Sequence, residues 1–581
     1  MASVSLALTG SGGSGVMTAG RILFEAAAEA GWYALMGKSF GPQIRGGEAA
    51  ALLRFADHPV QNPDDAYDVL VALDWANILR FASEIPLGAD SVVLADPDQG
   101  DVPDVIAGVD PLVRNVSFGA IAKGQKGGRA NMVAVGAVAR AIGLPDRTMV
   151  DCVRRILGGK GAQLVDVALA SMEAGQALAP ELNGLPRLGE PPHNANTRWR
   201  ISGNEATGLG ALHGGVRFVA AYPITPATDV LEWLAPNLPK LGGALLQAED
   251  ELAAANMCLG ASFGGVPALT ATSGPGLSLM TETLGLAVAS ETPMVVVDVM
   301  RGGPSTGIPT KSEQTDLNIA VYGLHGDAPH LVLAPNGIDD CLPTTQWAVG
   351  LAEATQAPAI VLTDQAMGQS SAVVDAPEPA AIALPRLAAA EPGEGYRRYA
   401  LTESGVSPVA VPGTPGGAYT GDGLEHDETG TPSSRPADHV AQLDKRLRKL
   451  AAFEYGERWA DVEGDGPVAV VTWGSATQAV REALGRLASD AVAVRLISVR
   501  LIHPARPEAM AEALAGVERV LVVEQNHDGQ FYRYLRAHYD LDCPMEAFHH
   551  PGPLPLRPGE VVSRVRDFAV STMPSMTAEE K

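Results

Sequence analysis

Apolar residues fall into two rhythms along this chain. Short, mostly apolar runs occur at 4–8, 49–55, 67–74, 216–221, 294–299, 331–335, 359–364, 468–471, 492–496 and 519–523. Runs of that length and content read as buried strands. Stretches at 16–30, 132–142, 229–234, 251–261, 440–450 and 476–487 carry apolar residues at helical spacing. Strand followed by helix, repeated, predicts α/β architecture with largely parallel sheets. Ligands of such sheets collect in the crevice outside the carboxyl ends of the strands.

The rhythm breaks twice. Residues 184–200 are rich in Pro, Asn and Gly and read as a linker. Residues 369–450 begin with Ala, Pro and Glu and have little periodicity before the helix at 440–450. Between and beyond the breaks lie a domain at 1–183, a domain at 201–368, a domain at 451–573 and a tail at 574–581. A chain of 581 residues exceeds what one core can bury, and about three or four domains is the expectation from length.

Polar, Gly- and Pro-rich turns follow the central strands at 222–226, 272–276 and 301–310. They would line one crevice. Three residues there have chemistry to offer. Thr225 sits between two prolines, Glu251 opens a helix, and Arg301 ends a strand. Each also has an ordinary reading: a cap for a helix starting near Ala227, an acid complementing a helix dipole beside Glu249 and Asp250, and a surface ion pair. In the first domain a strand runs into Thr9-Gly10-Ser11-Gly12-Gly13-Ser14-Gly15 and then a helix. That arrangement cradles anions, and it serves equally as a tight turn. Lys38 and Arg45, set among glycines, read as loop cations. Asn131 reads as an N-cap. Asp74, His325, Glu524 and Asn526 read as structural, and the run Glu425-His426-Asp427-Glu428 as a solvated charged face.

Composition narrows the classes. The net charge of −25 disfavours nucleic acid, whose phosphates require a basic surface. Cys152, Cys258, Cys341 and Cys543 are far apart, with no Cys-x-x-Cys, which leaves no usual zinc or iron–sulfur spacing. No apolar run reaches the ~18 residues of a membrane helix, and Met1–Gly13 has no signal-peptide pattern. The expectation is a cytoplasmic protein with no membrane contact and no metal held by this chain.

Taken together, Tyr222-Pro223-Ile224-Thr225-Pro226, Gln247-Ala248-Glu249-Asp250-Glu251-Leu252, Ala271-Thr272-Ser273-Gly274-Pro275-Gly276 and Arg301-Gly302-Gly303-Pro304-Ser305-Thr306-Gly307 resemble the α subunit of 2-oxoacid:ferredoxin oxidoreductases. The glycine turn and Gly37-Lys38-Ser39-Phe40-Gly41-Pro42 resemble that family's γ domain, here fused ahead of the α part. The resemblance implies three α/β domains: a γ-type domain, a thiamine diphosphate pyrimidine-binding domain and a transketolase C-terminal-like domain. By resemblance, Glu251 contacts the aminopyrimidine of thiamine diphosphate, Thr225 and Arg301 contact the 2-oxoacid, and Thr9, Gly10, Lys38 and Asn131 contact coenzyme A. The family's diphosphate signature is Gly-Asp-Gly followed at a set distance by Asn. Gly421-Asp422-Gly423 and Gly464-Asp465-Gly466 lack that Asn. A β subunit is therefore implied, carrying Mg2+, the diphosphate and an iron–sulfur cluster in an α2β2 assembly that passes electrons to ferredoxin. The fused layout and the polar Thr310 and Lys311 on the Arg301 loop favour 2-oxoglutarate, with Thr310 meeting its far end. Pyruvate, branched-chain and broad-range subunits, and a non-catalytic scaffold, are the alternatives.

Overall fold

The structure is a computed structural model describing residues 3–41, 47–80, 82–182, 184–192, 197–377, 382, 384–489 and 492–570. Arg45 and the tail at 574–581 lie outside the described residues.

Among the described residues the strands form three sheets. The first runs, in spatial order, Leu112–Asn115, Val92–Ala95, Val69–Ala72, Ser3–Ser11, Glu48–Ala56, Tyr33–Phe40, Ser371–Asp375 and Arg198–Ser202. Its first four strands are parallel, and the rest pair antiparallel. Two readings change here. Lys38 lies within the strand Tyr33–Phe40 and not on a loop, because Tyr33–Phe40 pairs along its whole length with Glu48–Ala56. The stretch read as linker contains the strand Arg198–Ser202, which with Ser371–Asp375 completes the first sheet from either flank of the middle domain.

The second sheet runs Leu501–His503, Leu331–Leu333, Pro358–Asp364, Met294–Met300, Ala268–Thr272, Phe218–Ala221 and Ala244–Gln247. It is parallel apart from Leu501–His503, which the last domain contributes. Met294–Met300 and Pro358–Asp364 are buried at every position, as continuous apolar strands with helices on both faces should be. The third sheet, Ala460–Glu463, Val494–Val499, Val468–Trp473, Arg519–Glu524 and Met545–His549, is parallel except for its first strand. Val295, Val332 and Leu351 share one apolar core with Trp473, Ile497 and Phe531, so the second and third sheets are packed as one body.

Within the second break, residues 384–450 are built into that body. Arg398, Tyr399 and Ser407 are buried, and the Arg398 guanidinium donates to Ser407 Oγ and to the Glu291 carbonyl. The run at 425–428 is not a solvated face. His426 is buried with its ring 3.9 Å from that of Tyr399. Glu425 pairs with Arg446 at 2.7 Å and with His439 at 2.6 Å. Aromatic packing and paired charges hold this turn, which a reading of charge density alone misses.

Candidate active site

The carboxyl ends of Phe218–Ala221, Ala268–Thr272 and Met294–Met300 stand side by side in the second sheet, and each is followed by one of the polar turns. Thr225 is half-buried on the first turn. Its carbonyl accepts from Arg301 Nη1 at 2.5 Å, across 76 residues of sequence. The next carbonyl, of Pro226, accepts from the fully buried Asn204 Nδ2 at 3.0 Å. Asn204 opens the helix Gly203–His213, whose start is fixed by a capping box between Ser202 and Glu205. The side chain that holds the Thr225 turn thus comes from Gly203-Asn204-Glu205-Ala206. This stretch was legible as a helix start, but its reach to Pro226 was not.

Glu251 is the first residue of the helix Glu251–Phe263. Capping is done by its neighbour: Asp250 Oδ1 accepts from Ala253 N at 2.7 Å. Glu251 is therefore not the cap. It is 8% exposed, and among the described residues no hydrogen bond or ion pair reaches its carboxylate. It lies over Gly276. A Cβ there would stand 2.8 Å from Glu251 Cγ and 2.0 Å from Thr272 Oγ1, so only glycine lets the second turn pass beneath the acid. Beside it the buried Ser273 hydroxyl also has no partner.

Arg301 is 6% exposed, and its Nε has no acceptor. Two acids face it, the fully buried Asp298 on the strand just before it and the half-buried Asp316 at the far end of the loop. Burial pulls the Arg301 guanidinium down from its ordinary value, and the two acids oppose that pull. The loop between them turns tightly at Gly307, where φ is +55° and a Cβ would meet the Gly302 carbonyl at 1.7 Å. Both neighbouring domains grip it. Thr310 Oγ1 donates to the Phe40 carbonyl at 3.2 Å, and Lys311 Nζ reaches Ser39 Oγ at 2.9 Å and pairs with Glu84. Gln314 Nε2 donates to the Trp473 carbonyl at 2.8 Å and its backbone N–H to that of Gln525 at 2.7 Å, while Glu313 Oε1 accepts from Gly552 N at 2.7 Å. Thr310 and Lys311 are therefore engaged with the first domain, and neither side chain stands free for the far end of a ligand.

In the first domain, Asn131 Nδ2 donates to the Gly15 carbonyl at 3.1 Å and closes the glycine turn. Asn131 is inside the helix Ala130–Ile142, whose N-cap is Arg129, so it is not the cap. Asp74 accepts from Ser11 N at 2.9 Å and from Ser11 Oγ at 2.8 Å. Opposed residues in a sheet share a face. Lys38 pairs with Ala51, on which Gly20 of the helix Val16–Ala30 packs. Lys38 is thus on the face that carries the glycine turn and helix, with Gly10 and Asn131. Thr9 pairs with Ala50, opposite Ser39. Its buried hydroxyl, which has no partner, points to the other face. Elsewhere, His325 is exposed beside Gly285, about three helical turns from the site end of Gly274–Ala289. Glu524 caps Gln530–His538 by accepting from Phe531 N and Tyr532 N, and Asn526 Nδ2 donates to the Gln314 carbonyl.

The sheets and the crevice define an α/β domain of the thiamine-diphosphate-binding class. The family profile described as "Pyruvate flavodoxin/ferredoxin oxidoreductase, thiamine diP-bdg" matches residues 209–445, and "Pyruvate ferredoxin/flavodoxin oxidoreductase" matches 5–178. The 2-oxoacid:ferredoxin oxidoreductase 2 α subunit of Aeropyrum pernix is 31% identical over 93% of this chain and 93% of its own length. The 2-oxoglutarate oxidoreductase subunit KorA of Mycobacterium tuberculosis is 30% identical over 85% of this chain and 80% of its own. A solved 2-oxoglutarate:ferredoxin oxidoreductase from Magnetococcus marinus, with 2-oxoglutarate, coenzyme A and succinyl-CoA bound, superposes with a TM-score of 0.90 at 36% identity. The match covers 98% of this chain and all of that one. The chain belongs to the 2-oxoacid:ferredoxin oxidoreductase family, as an α-type enzyme subunit that functions with a partner subunit. No helix among the described residues is long and apolar enough to cross a membrane.

Proposed function

We propose that this chain is the α subunit of a 2-oxoglutarate:ferredoxin oxidoreductase. The reaction takes 2-oxoglutarate, coenzyme A and oxidised ferredoxin to succinyl-CoA, carbon dioxide, a proton and reduced ferredoxin, the electron pair leaving singly. The observation that carries the reading is Glu251: a buried carboxylate with no partner, over a glycine that cannot accept a side chain, in the crevice that Thr225 and Arg301 also line. A ring nitrogen carrying or sharing a proton is what such an acid lacks, and the aminopyrimidine of thiamine diphosphate presents one. Bound there, thiamine diphosphate would supply a carbon nucleophile for the oxo group and a cationic ring to take up the electron pair left by decarboxylation.

This chain's residues do the rest of what its geometry allows. Glu251 holds a proton at the ring. Arg301, fixed by the Thr225 carbonyl, offers its remaining N–H groups to the oxoacid carboxylate, and Thr225 presents its hydroxyl on the same turn. Lys38, Gly10 and Asn131 gather coenzyme A at the glycine turn, and Thr9 shapes that turn through its backbone. Thr310 keeps the Arg301 loop against the first domain. The diphosphate with Mg2+ and the iron–sulfur cluster belong to the β subunit in an α2β2 assembly in the cytoplasm. The preference for 2-oxoglutarate is supported by the likeness to the Magnetococcus enzyme and to KorA.

The test is ferredoxin reduction by the chain co-expressed with its β subunit, on 2-oxoglutarate, pyruvate and 3-methyl-2-oxobutanoate, with and without coenzyme A. We expect kcat/KM to be highest for 2-oxoglutarate and turnover to need coenzyme A. A preference for either other acid rejects the substrate, and absence of oxoacid-dependent reduction rejects the function.

A further inference from the structure

Asp298 stands on Met294–Met300, in the middle of the second sheet, with 0% exposure. Neither of its carboxylate oxygens meets a donor among the described residues. Asp316 ends the Arg301 loop. Its Oδ2 is buried and also lacks a donor. It lies against the first turn of Gly274–Ala289, where a Cβ on Gly274 would come within 2.6 and 2.7 Å of its two oxygens. The two carboxyls are within hydrogen-bonding reach of each other. The cation facing both is Arg301. Glu313 is the further acid turned toward Asp316, and the Thr315 hydroxyl is beside it.

Two ionised carboxylates cannot share a dry site, because each lacks donors and repels the other. One proton between them resolves both faults. The protonated acid becomes a donor, and its neighbour becomes the acceptor. We propose that Asp298 and Asp316 hold a single proton between them, and that this pair positions Arg301 and sets how much of its charge an oxoacid carboxylate can use. The second half rests on the reading of Arg301 given above.

Burial pushes Asp298 well above the ordinary carboxylate range, with the charge of Asp316 adding to it. Burial pushes Asp316 up to about 6, against the opposing pull of Asp298 and Arg301. Asp298 is thus the natural holder of the proton at neutral pH. The pair then carries one negative charge, which offsets the guanidinium. As pH falls through about 6 a second proton neutralises the pair. Arg301 is left uncompensated, and its hold on an anionic substrate strengthens. No bond is made or broken in this; a proton enters from solvent and leaves to it.

Asp298 and Asp316 are positioning residues, and the test needs readouts that a purely structural role leaves unmoved. The first is infrared difference spectroscopy of the isolated chain at pH 7.5, wild type minus Asp298→Asn. A protonated carboxyl has a C=O stretch that an ionised one lacks, and that band is expected in the wild type and absent in the variant. Asp316→Asn should keep the band but shift it, because burial still holds the Asp298 proton while its acceptor has changed. The second is the oxoacid KM of the assembled complex against pH. In the wild type it should fall roughly three- to tenfold from pH 7.5 to 5.5, as one linked proton allows. Asp316→Asn should give a flat profile, whereas Asp298→Asn, whose neutral amide stands where the protonated carboxyl stood, should keep the wild-type one. Asp298→Ala should raise KM about tenfold or more, and Asp298→Asn should recover most of that loss. If Asp298→Asn does not fold, the shifted band and the flat profile of Asp316→Asn carry the test. Absence of the acid band, or an unchanged KM profile in Asp316→Asn, overturns the proposal. An acid band with no oxoacid turnover instead overturns the functional reading, and with it the part given to Arg301.

Discussion

At the scale of single residues, the division of labour between Asp250 and Glu251 decides the chemistry. Asp250 satisfies the helix start, so Glu251 is buried without a structural task. Glu251→Gln keeps shape and removes the charge. We expect turnover of the assembled complex to fall at least about a hundredfold, the scale of a positioned acid, with assembly by size-exclusion chromatography unchanged; near-normal turnover would remove Glu251 from the mechanism. Thr225 and Arg301 were legible as neighbours because each follows a buried strand in a parallel sheet; Glu251 follows the mostly exposed edge strand Ala244–Gln247 and was legible as the first turn of a helix. The aim of Thr310 and Lys311 was not. It is set by Phe40, Ser39 and Glu84, some 230–270 positions earlier, and nothing within the loop encodes them. Nor was the helix position of Asn131, since the cap before it is Arg129, a residue with no capping side chain.

Among elements, the helix Pro436–Ala451 shows how far a periodic pattern carries. Its spacing predicts a helix at 440–450, and the helix is there. Its lysines, however, belong to the interior. Lys445 and Lys449 are buried against Glu291, at 2.5 and 3.3 Å, with Arg398 beside them. A lysine reads as solvent-facing until a distant carboxylate is placed opposite it. Burial alone raises the Glu291 carboxyl, but Lys449, Lys445 and Arg398 override it and hold it well below its usual range. Burial lowers Lys449 to about 7 and Lys445 to about 8, against the pull of Glu291. Between about pH 7 and the ordinary lysine range the folded chain then binds fewer protons than the unfolded one, so stability rises with pH there. The contribution of Glu291 is present above the ordinary carboxylate range and is lost in acid. Glu291→Ala leaves buried cations unpaired and should destabilise by roughly 3–5 kcal/mol at pH 7. Its stability should climb more steeply than that of the wild type between about pH 7 and 9, as measured by denaturant unfolding; a loss under about 1 kcal/mol at pH 7 would mean that the cations find other partners.

For the whole molecule, the three sheets are not separate beads. The last domain lends a strand to the second sheet, and the flanks of the middle domain lend two to the first. Residues 1–183 expressed alone should therefore present Tyr33–Phe40 as a bare edge and self-associate through it. Sedimentation should show concentration-dependent oligomers in the fragment, whereas a strictly monomeric fragment would show that the edge protects itself. The three α/β units were legible from strand–helix alternation. The shared strands were not, because Arg198–Ser202 carries two arginines and an exposed Trp199 with only Ser202 buried and its partners are remote in the chain. The borrowed strand Ser371–Asp375 also gives the molecule a clock. On a ribosome adding about 5–20 residues per second, the N-terminal sheet waits roughly a quarter of a minute to a minute, after Ala56 emerges, for the strand that seals it. Throughout that interval every nascent copy on a polysome displays the same unsealed edge to its neighbours, so the yield of this protein should depend on how quickly its middle is translated and on what shields that edge meanwhile.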